Sequence, residues 1–243
     1  MHSSHLHYLP ISPALFAILL GALAAVFVLV QLGVLNYAYR RLGLSAGAAF
    51  MLLFASLLGS YVNIPLAQLP AERIEAGQAF NFFGERYSFP VEVDWPGTIV
   101  AVNVGGAVVP ILLSLYLLAH NRIWIKGLIG AAIVTGAVHV VARPIPGVGV
   151  TVPVFVPPVV TAIVALLLSR EHAAPVAYVA GSLGTLIGAD IMNLGEINAI
   201  GAPMASIGGA GTFDGVFVTG ILAVLLAGLG RRGPQTTAPP SRA

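Results

Sequence analysis

Long apolar runs separated by short polar breaks constrain this chain more than any other feature of its sequence. The first run extends from about Ile11 to Leu35, and several runs of similar length follow it. A bilayer requires about 20 apolar residues for each spanning helix. Only 8% of the 243 residues are charged, against roughly 25% in a soluble domain. We therefore expect an integral membrane protein whose partner is the lipid bilayer.

The apolar runs predict an all-α fold, a polytopic transmembrane bundle of about seven helices. The predicted spans are residues 12–36, 44–66, 97–119, 123–142, 151–169, 175–193 and 212–230. They make one integral membrane domain over residues 1–232, and the Pro- and Thr-rich residues 233–243 are expected to form a disordered tail. The first run is too long for the core of a signal peptide and has no Lys or Arg before it, so we expect it to stay as a helix.

The distribution of basic residues predicts the orientation in the membrane. Seven spans place the two termini on opposite sides. Eight of the eleven lysines and arginines then fall on one side: Arg40, Arg41, Arg122, Lys126, Arg170, Arg231, Arg232 and Arg242. Loops rich in basic residues stay in the cytoplasm. We therefore expect the N-terminus outside and the C-terminus in the cytoplasm.

Three segments interrupt the helical pattern near the predicted outer face. An extracytoplasmic loop covers about residues 67–96, and its stretch from Arg86 to Val93 has the pattern of a short strand or hairpin. The segment from Pro144 to Pro158 contains five prolines, so no continuous helix can run through it. Leu194 to Gly211 is largely apolar, and non-helical backbone at membrane depth must be covered by protein or line a wet cavity. We expect broken helices or a re-entrant loop at this face.

Polar side chains from several predicted helices reach the same outer layer of the membrane. Ionisable groups inside a bilayer are costly and usually face the interior of a bundle or a wet cavity. The residues that the predicted spans bring to this layer are Asp190, Asp214, Asn63, Asn103, Asn193 and Arg143. We predict an outward-facing polar cavity in which these six residues bind a ligand.

Each of these residues also has a structural interpretation. Asp214 is positioned to cap the last predicted helix from its first turn. Asp190 would be paired with Arg143 or with loop amides, while Asn63 and Asn103 would hold helices together. Several glycines are expected to allow close helix contacts: Gly181, Gly184, Gly188, Gly211 and Gly215.

Three functions fit this pattern, and the sequence leaves open whether the protein is an enzyme. The first is binding or translocation of a small solute or cation, because broken helices and carboxylate or amide oxygens suit Na⁺, H⁺ or a divalent ion. The second is intramembrane aspartyl proteolysis, in which Asp190 and Asp214 would share a proton. The third is a noncatalytic membrane scaffold whose polar cluster fixes helix packing.

Cofactors and nucleic acids do not fit the sequence. The chain has no cysteine, and no phosphate-binding loop or zinc-ligand spacing stands out. We therefore expect no cofactor and leave any metal unassigned. The basic residues form short clusters beside apolar runs and no stripe, which argues against a nucleic-acid partner.

Several segments resemble a known family. They are Val102-Asn-Val-Gly-Gly-Ala-Val-Val-Pro110, Pro144-Ile-Pro-Gly-Val-Gly149, Gly184-Thr-Leu-Ile-Gly-Ala-Asp190 and Gly201-Ala-Pro-Met-Ala-Ser-Ile-Gly-Gly-Ala-Gly-Thr-Phe-Asp-Gly215. These segments are similar to those of the bacterial and archaeal membrane family catalogued as domain of unknown function 1614, over roughly the second to the seventh predicted helix. The resemblance implies a prokaryotic membrane location and no activity, and we expect that membrane to be the cytoplasmic one.

Overall fold

The computed structural model describes residues 18, 21–24, 34–70, 72–82, 85–145, 149–196, 203–209 and 215–229. Several predictions lie wholly or partly outside these residues. They include the first span, the loop 67–96, the segments from Pro144 to Pro158 and from Leu194 to Gly211, Asp214, and the C-terminal tail. For the parts outside the described residues they stay predictions.

Helices dominate the described residues and follow the apolar runs. Their bounds are α1 Val34–Arg41, α2 Ala46–Gly59, α3 Val109–His120, α4 Trp124–Val141, α5 Val156–Leu168, α6 Ala173–Thr185 and α7 Gly215–Leu229. Residues 18 and 21–24 are helical as well. Ser45 caps α2, since its Oγ accepts a hydrogen bond from the Ala48 N–H at 3.2 Å. Prolines lie in the first turn of α3 and α5. Proline is tolerated there because an N–H group in the first turn would have no hydrogen-bond partner within the helix.

Two helices contain irregular turns. A π-helical turn, Val104–Val108, leads into α3. A second one, Leu186–Asp190, continues α6 and is followed by a 3₁₀ turn at Ile191–Glu196. Such turns often occur at functional sites, because the wider turn moves side chains away from regular helical positions.

β-Strands occupy several segments that we expected to be helical or loop, so the all-α prediction is confirmed only as a mostly helical fold. Their bounds are β1 Asn63–Gln68, β2 Glu72–Phe82, β3 Glu85–Trp95, β4 Ile99–Asn103, β5 Arg143–Ile145, β6 Gly149–Thr151 and β7 Met204–Ile207. One sheet has the order β1-β4-β7, with β1 antiparallel and β7 parallel to β4. β2 pairs with β3 and β5 with β6 as antiparallel hairpins.

The strands shorten three predicted spans. The second predicted span, residues 44–66, is helical only over α2, because β1 follows. The third, residues 97–119, becomes helical at Val104, because β4 precedes it. The fifth begins at Val156 and not at residue 151, since β6 occupies its predicted start. In the predicted extracytoplasmic loop, the expected strand or hairpin is present as the longer β2–β3 hairpin.

α6 lies at the centre of the helical bundle and contacts α3, α4, α5 and α7. Its side chains from Ala173 to Ser182 are all buried, whereas α4 is apolar but largely exposed. Within the described residues, Trp124–Val141 and Ala173–Glu196 are long and apolar enough to cross a bilayer, and shorter apolar helices accompany them. The protein is thus mostly helical with two candidate spanning helices, and the count of seven spans stays a prediction.

Glycines let α4 and α6 approach closely. A Cβ atom added at Gly184 would lie 2.7 Å from Val134 Cβ, and one at Gly188 would lie 2.5 Å from the Thr135 carbonyl oxygen. Small residues spaced by four permit such contacts between helices, so the prediction is confirmed for these two glycines. For Gly215, an added Cβ would have no neighbour within 4 Å among the described residues, so they show no close helix contact there.

Candidate functional site

Asp190 ends the π-helical turn after α6 and reaches the turn that follows β7. Its Oδ2 accepts a hydrogen bond from the Gly208 N–H at 2.6 Å. Gly208 has a φ of 75°, and an added Cβ would lie 2.6 Å from the backbone nitrogen of Ala107. Only glycine fits this turn without strain. The half-buried Asp190 carboxylate therefore contacts a loop amide, which is one of the two partners that its structural interpretation predicted.

Asn63 and Asn103 lie opposite one another where β1 pairs with β4. The Asn103 Nδ2 donates hydrogen bonds to Asn63 Oδ1 at 3.0 Å and to the Ser60 carbonyl oxygen at 2.8 Å. The Asn103 Oδ1 accepts a hydrogen bond from the Gly106 N–H at 2.8 Å. Because Asn103 is only 2% exposed, these bonds satisfy a buried amide. They tie β4 to the end of α2 and to the first π-helical turn.

Residues 206–209 join these two groups of contacts. Ser206 Oγ donates a hydrogen bond to Asn63 Oδ1 at 2.5 Å. A Cβ added at Gly209 would lie 2.7 Å from Asn103 Cβ, so the turn packs against that side chain. Together with the bond from Gly208 to Asp190, the turn after β7 brings Asp190, Asn63 and Asn103 into one arrangement.

A cavity of about 250 Å³ lies beside Asp190. It is bounded by the end of α6, the start of α7, and β6 with the residues that lead into α5. Polar residues in its lining are Asp190, Thr185 and Thr219, and the rest of the wall is mainly valine and proline. The Thr185 Oγ1 is buried and has no hydrogen-bond partner. A cavity of this volume has room for several water molecules or a small hydrated ion.

The other three predicted site residues differ in their placement. Asn193 is buried, and its Nδ2 donates to the carbonyl oxygens of Gly188 at 3.1 Å and Ala189 at 2.8 Å. It therefore supplies hydrogen-bond donors to two backbone carbonyl groups of the π-helical turn and does not line the cavity. Arg143 is exposed in β5 and does not line the cavity either. Asp214 lies outside the described residues, so its pairing with Asp190, on which the protease hypothesis depends, stays a prediction.

Reasoning from the sequence missed Thr185, Thr219 and Ser206. Serine and threonine are common in apolar helices, where they often bond to the backbone of their own helix, so their presence alone does not mark a site. One signal was available for the first of them. Ser182 and Thr185 are three residues apart, which places both hydroxyl groups on the same face of a helix.

A preformed multidentate metal site is absent from the described part of the chain, where no three Asp, Glu or His side chains come together. A cation beside Asp190 would use one carboxylate from these residues, with hydroxyl and water oxygens completing its coordination. Oxygen ligands of this kind suit Na⁺, Ca²⁺ or Mg²⁺ better than softer transition metals.

Comparison with known proteins finds a match over most of the chain. The family described as protein of unknown function (DUF1614) matches residues 57–226. The chain belongs to this family. No curated protein and no solved structure matches the chain.

The DUF1614 match confirms the resemblance expected from the sequence motifs. It extends from the end of α2 into α7 and includes all six predicted site residues. The family description names no activity. The geometry around Asp190 is therefore the main indication of function.

Proposed function

We propose that this DUF1614 protein is a multi-pass protein of the prokaryotic cytoplasmic membrane, with its N-terminus outside and its C-terminus in the cytoplasm. Large apolar side chains on the exposed helix faces support the membrane location: Ile125 is 75% exposed, Val140 77% and Leu167 81%. Soluble monomers rarely expose large contiguous apolar surfaces, whereas lipid-facing helices require them. The distribution of basic residues supports the orientation.

The short helices fit seven spans if sheet and turns complete their outer ends. α5 has 13 residues, which is about 20 Å at 1.5 Å per residue, and the hydrocarbon core of a bilayer is about 30 Å thick. β1 follows α2, and β4 precedes α3. Open strand edges need water because lipid offers no hydrogen bonds. We infer that the β1-β4-β7 sheet lies at the outer interface of the membrane.

We propose further that the cavity beside Asp190 binds a small cation, as a step in binding or translocating it from the outer side. One observation carries this proposal: a carboxylate and two threonines line an otherwise apolar cavity of about 250 Å³. A carboxylate attracts cations, and the threonine hydroxyl oxygens can supply neutral ligands.

The residues around the cavity would have separate roles. Asp190 carries the charge that attracts the cation, and Thr185 and Thr219 replace part of its hydration shell. Asn63 and Asn103 hold the turn that binds Asp190, and so act on its position. Asp214 immediately precedes Gly215, which lines the cavity, and we propose its carboxylate as a second acidic group at the same place.

A second candidate function is a noncatalytic membrane scaffold. The hydrogen bond from the Gly208 N–H to Asp190 favours it, because a carboxylate that accepts loop amides can serve to fix a loop. In this case Asp190 would stabilise the turn after β7, and the cavity would contain only water.

Thermal unfolding of the full chain in detergent distinguishes the two functions. Wild type, Asp190→Asn and Glu196→Gln would be compared in choline chloride, with and without Na⁺, Ca²⁺ or Mg²⁺, from mildly acidic to mildly basic pH. Glu196→Gln is the matched control, because it removes the same charge from an exposed side chain in the neighbouring 3₁₀ turn.

Cation binding predicts that one ion, or protons, stabilises wild type and Glu196→Gln but not Asp190→Asn. An ion present at 100 times its Kd would contribute about 2.7 kcal/mol to stability. If no ion and no pH change affects wild type, and Asp190→Asn only lowers the melting temperature, the scaffold function replaces the cation proposal.

A further inference from the structure

Ser114 Oγ in α3 is buried without a hydrogen-bond partner, and so are three hydroxyl oxygens in α5 and α6: Thr161 Oγ1, Ser182 Oγ and Thr185 Oγ1. Thr161 and Ser182 are fully buried, and Thr185 is 4% exposed. A hydroxyl group removed from water without a new partner is destabilising. Buried serine and threonine in helices usually avoid this by bonding to a backbone carbonyl one turn earlier. Here no such bond is formed, so each of these groups lacks a partner that it requires.

The three hydroxyl groups in α5 and α6 belong to one crossing of α5, α6 and α7. A Cβ added at Gly181 would lie 3.1 Å from Thr161 Cγ2 and 3.3 Å from Thr219 Cγ2. A Cβ added at Gly220 would lie 2.6 Å from Ser182 Oγ. Glycines therefore let the three helices approach closely beside these residues: the methyl groups of Thr161 and Thr219 face the Gly181 position, and Ser182 Oγ faces the Gly220 position. We call Thr161, Ser182, Thr185 and Thr219 the hydroxyl cluster.

Two members of the hydroxyl cluster line the cavity beside Asp190, and the other two, Thr161 and Ser182, lie next to them without lining it. Thr185 and Thr219 line the cavity, and Thr219 also contacts the Gly181 position beside Thr161. Ser182 lies eight residues before Asp190, which is about 12 Å deeper along the helix. Below it, Tyr178 and Ala177 belong to the main apolar core, which closes this route toward the opposite side.

Water fits the hydroxyl cluster better than a bare cation does. None of its four members is charged, so a dehydrated ion there would lack a counter-charge from the cluster itself. Water can both donate and accept hydrogen bonds, and one molecule satisfies about three buried polar groups. Water at this place would give the unpartnered hydroxyl groups the partner that they lack.

We propose that the hydroxyl cluster is an inner water site, continuous with the cavity beside Asp190. The proposal rests on the outward-facing cavity of the proposed function and extends it inward. Water would reach this site from the cavity beside Asp190, and the apolar core would block it beyond Ser182. A cation held at Asp190 would keep part of its hydration through this water.

Cysteine accessibility tests the inner water site, because the natural chain has no cysteine. Ser182→Cys places a nearly isosteric thiol in the hydroxyl cluster. Ala180→Cys is the control on the same helix, since Ala180 is fully buried in a small apolar cluster with Val134 and Val138 on α4. Both full-length variants, in detergent, would be exposed to Ag⁺, and the remaining thiols would be counted with a fluorescent maleimide after unfolding.

The inner water site predicts that Ser182→Cys reacts at least about tenfold faster than Ala180→Cys, because a thiol in a dry core reacts only through local opening. Equal rates would overturn the proposal. Ser182→Ala gives an independent result: a hydrated cluster predicts a lower melting temperature, whereas a dry one predicts a higher melting temperature on removal of an unpartnered hydroxyl. A higher melting temperature would also overturn it.

The two proposals fail separately. If Ser182→Cys is unreactive while the ion response of Asp190 persists, the inner water site is wrong and cation binding stands. If Ser182→Cys reacts quickly while no ion stabilises the protein, the water site stands and the cation proposal fails.

Discussion

Replacing Asn103 by alanine should destabilise the protein more than any other single amide deletion considered for this site. The substitution removes hydrogen bonds to Asn63 Oδ1, to the Ser60 carbonyl oxygen and from the Gly106 N–H. The site is almost fully buried, at 2% exposure, so water cannot readily replace the lost partners. The turn after β7 packs against the same side chain and would lose that contact too.

The magnitude follows from the number of bonds. Side-chain hydrogen bonds contribute about 0.6 kcal/mol on average in membrane proteins and about 1 kcal/mol in soluble ones. Three such bonds, with buried groups left unpaired, give about 2 to 4 kcal/mol in total. In a chain of this size each kcal/mol lowers the melting temperature by about 2 to 4 °C, so we expect a decrease of about 4 to 16 °C.

Tryptophan fluorescence during heating in detergent measures this effect. Asn121→Ala is the matched control, because Asn121 makes one side-chain bond, to the Leu117 carbonyl oxygen at the end of α3. It should lower the melting temperature by about 1 to 4 °C, the effect of one bond. Asn103→Asp should also destabilise the protein. The substitution replaces the donor Nδ2 by an oxygen, which would then face two other acceptor oxygens, Asn63 Oδ1 and the Ser60 carbonyl oxygen. If Asn103→Ala melts like Asn121→Ala, the network does not hold the sheet and the reasoning is refuted.

Three further predictions concern packing, the π-helical turn and topology. Gly188→Ala should destabilise by about 1 to 3 kcal/mol, because its Cβ would lie 2.5 Å from the Thr135 carbonyl oxygen. Gly195→Ala should have little effect in the same melting assay, because no described residue lies within 4 Å of the added Cβ. Asn193→Ala should cost about 1 to 2 kcal/mol through two lost hydrogen bonds yet leave the cation response unchanged, and a lost response would contradict its purely structural role. Ser88→Cys should react with an impermeant maleimide on intact cells, whereas Arg122→Cys should react only after permeabilisation; the reverse pattern would invert the proposed orientation.

The helices after α1 could be predicted from the sequence because each lies in an apolar run, whereas most of α1 lies outside the predicted first span. The predicted span 123–142 corresponds to α4 at Trp124–Val141, and 175–193 to the helical segment Ala173–Glu196. The β1-β4-β7 sheet could not be predicted in the same way. Ile99–Asn103 is a short apolar run, which fits a strand or a helix equally, and its partner Met204–Ile207 lies far along the chain. Only that pairing decides the conformation.

The candidate site was predictable to a similar extent. The cost of polar groups in a membrane points to Asp190 and Asn103 without any structure. The hydrogen-bond partners in the site do not follow from this cost. The Gly208 N–H reaches Asp190, and Ser206 Oγ reaches Asn63, only after β7 has paired with β4. Thr185 and Thr219 join Asp190 through the crossing of α6 and α7, which no local pattern in the sequence specifies.

Direct titration with cations tests the central claim, that the cavity beside Asp190 binds a small cation. Calorimetry of the detergent-purified chain in choline chloride would use NaCl, CaCl₂ and MgCl₂ at several pH values, with wild type, Asp190→Asn and Glu196→Gln. The account predicts saturable binding of at least one cation by wild type and Glu196→Gln, and its loss in Asp190→Asn. Absence of saturable binding in wild type at every pH, or equal binding by Asp190→Asn, would contradict it.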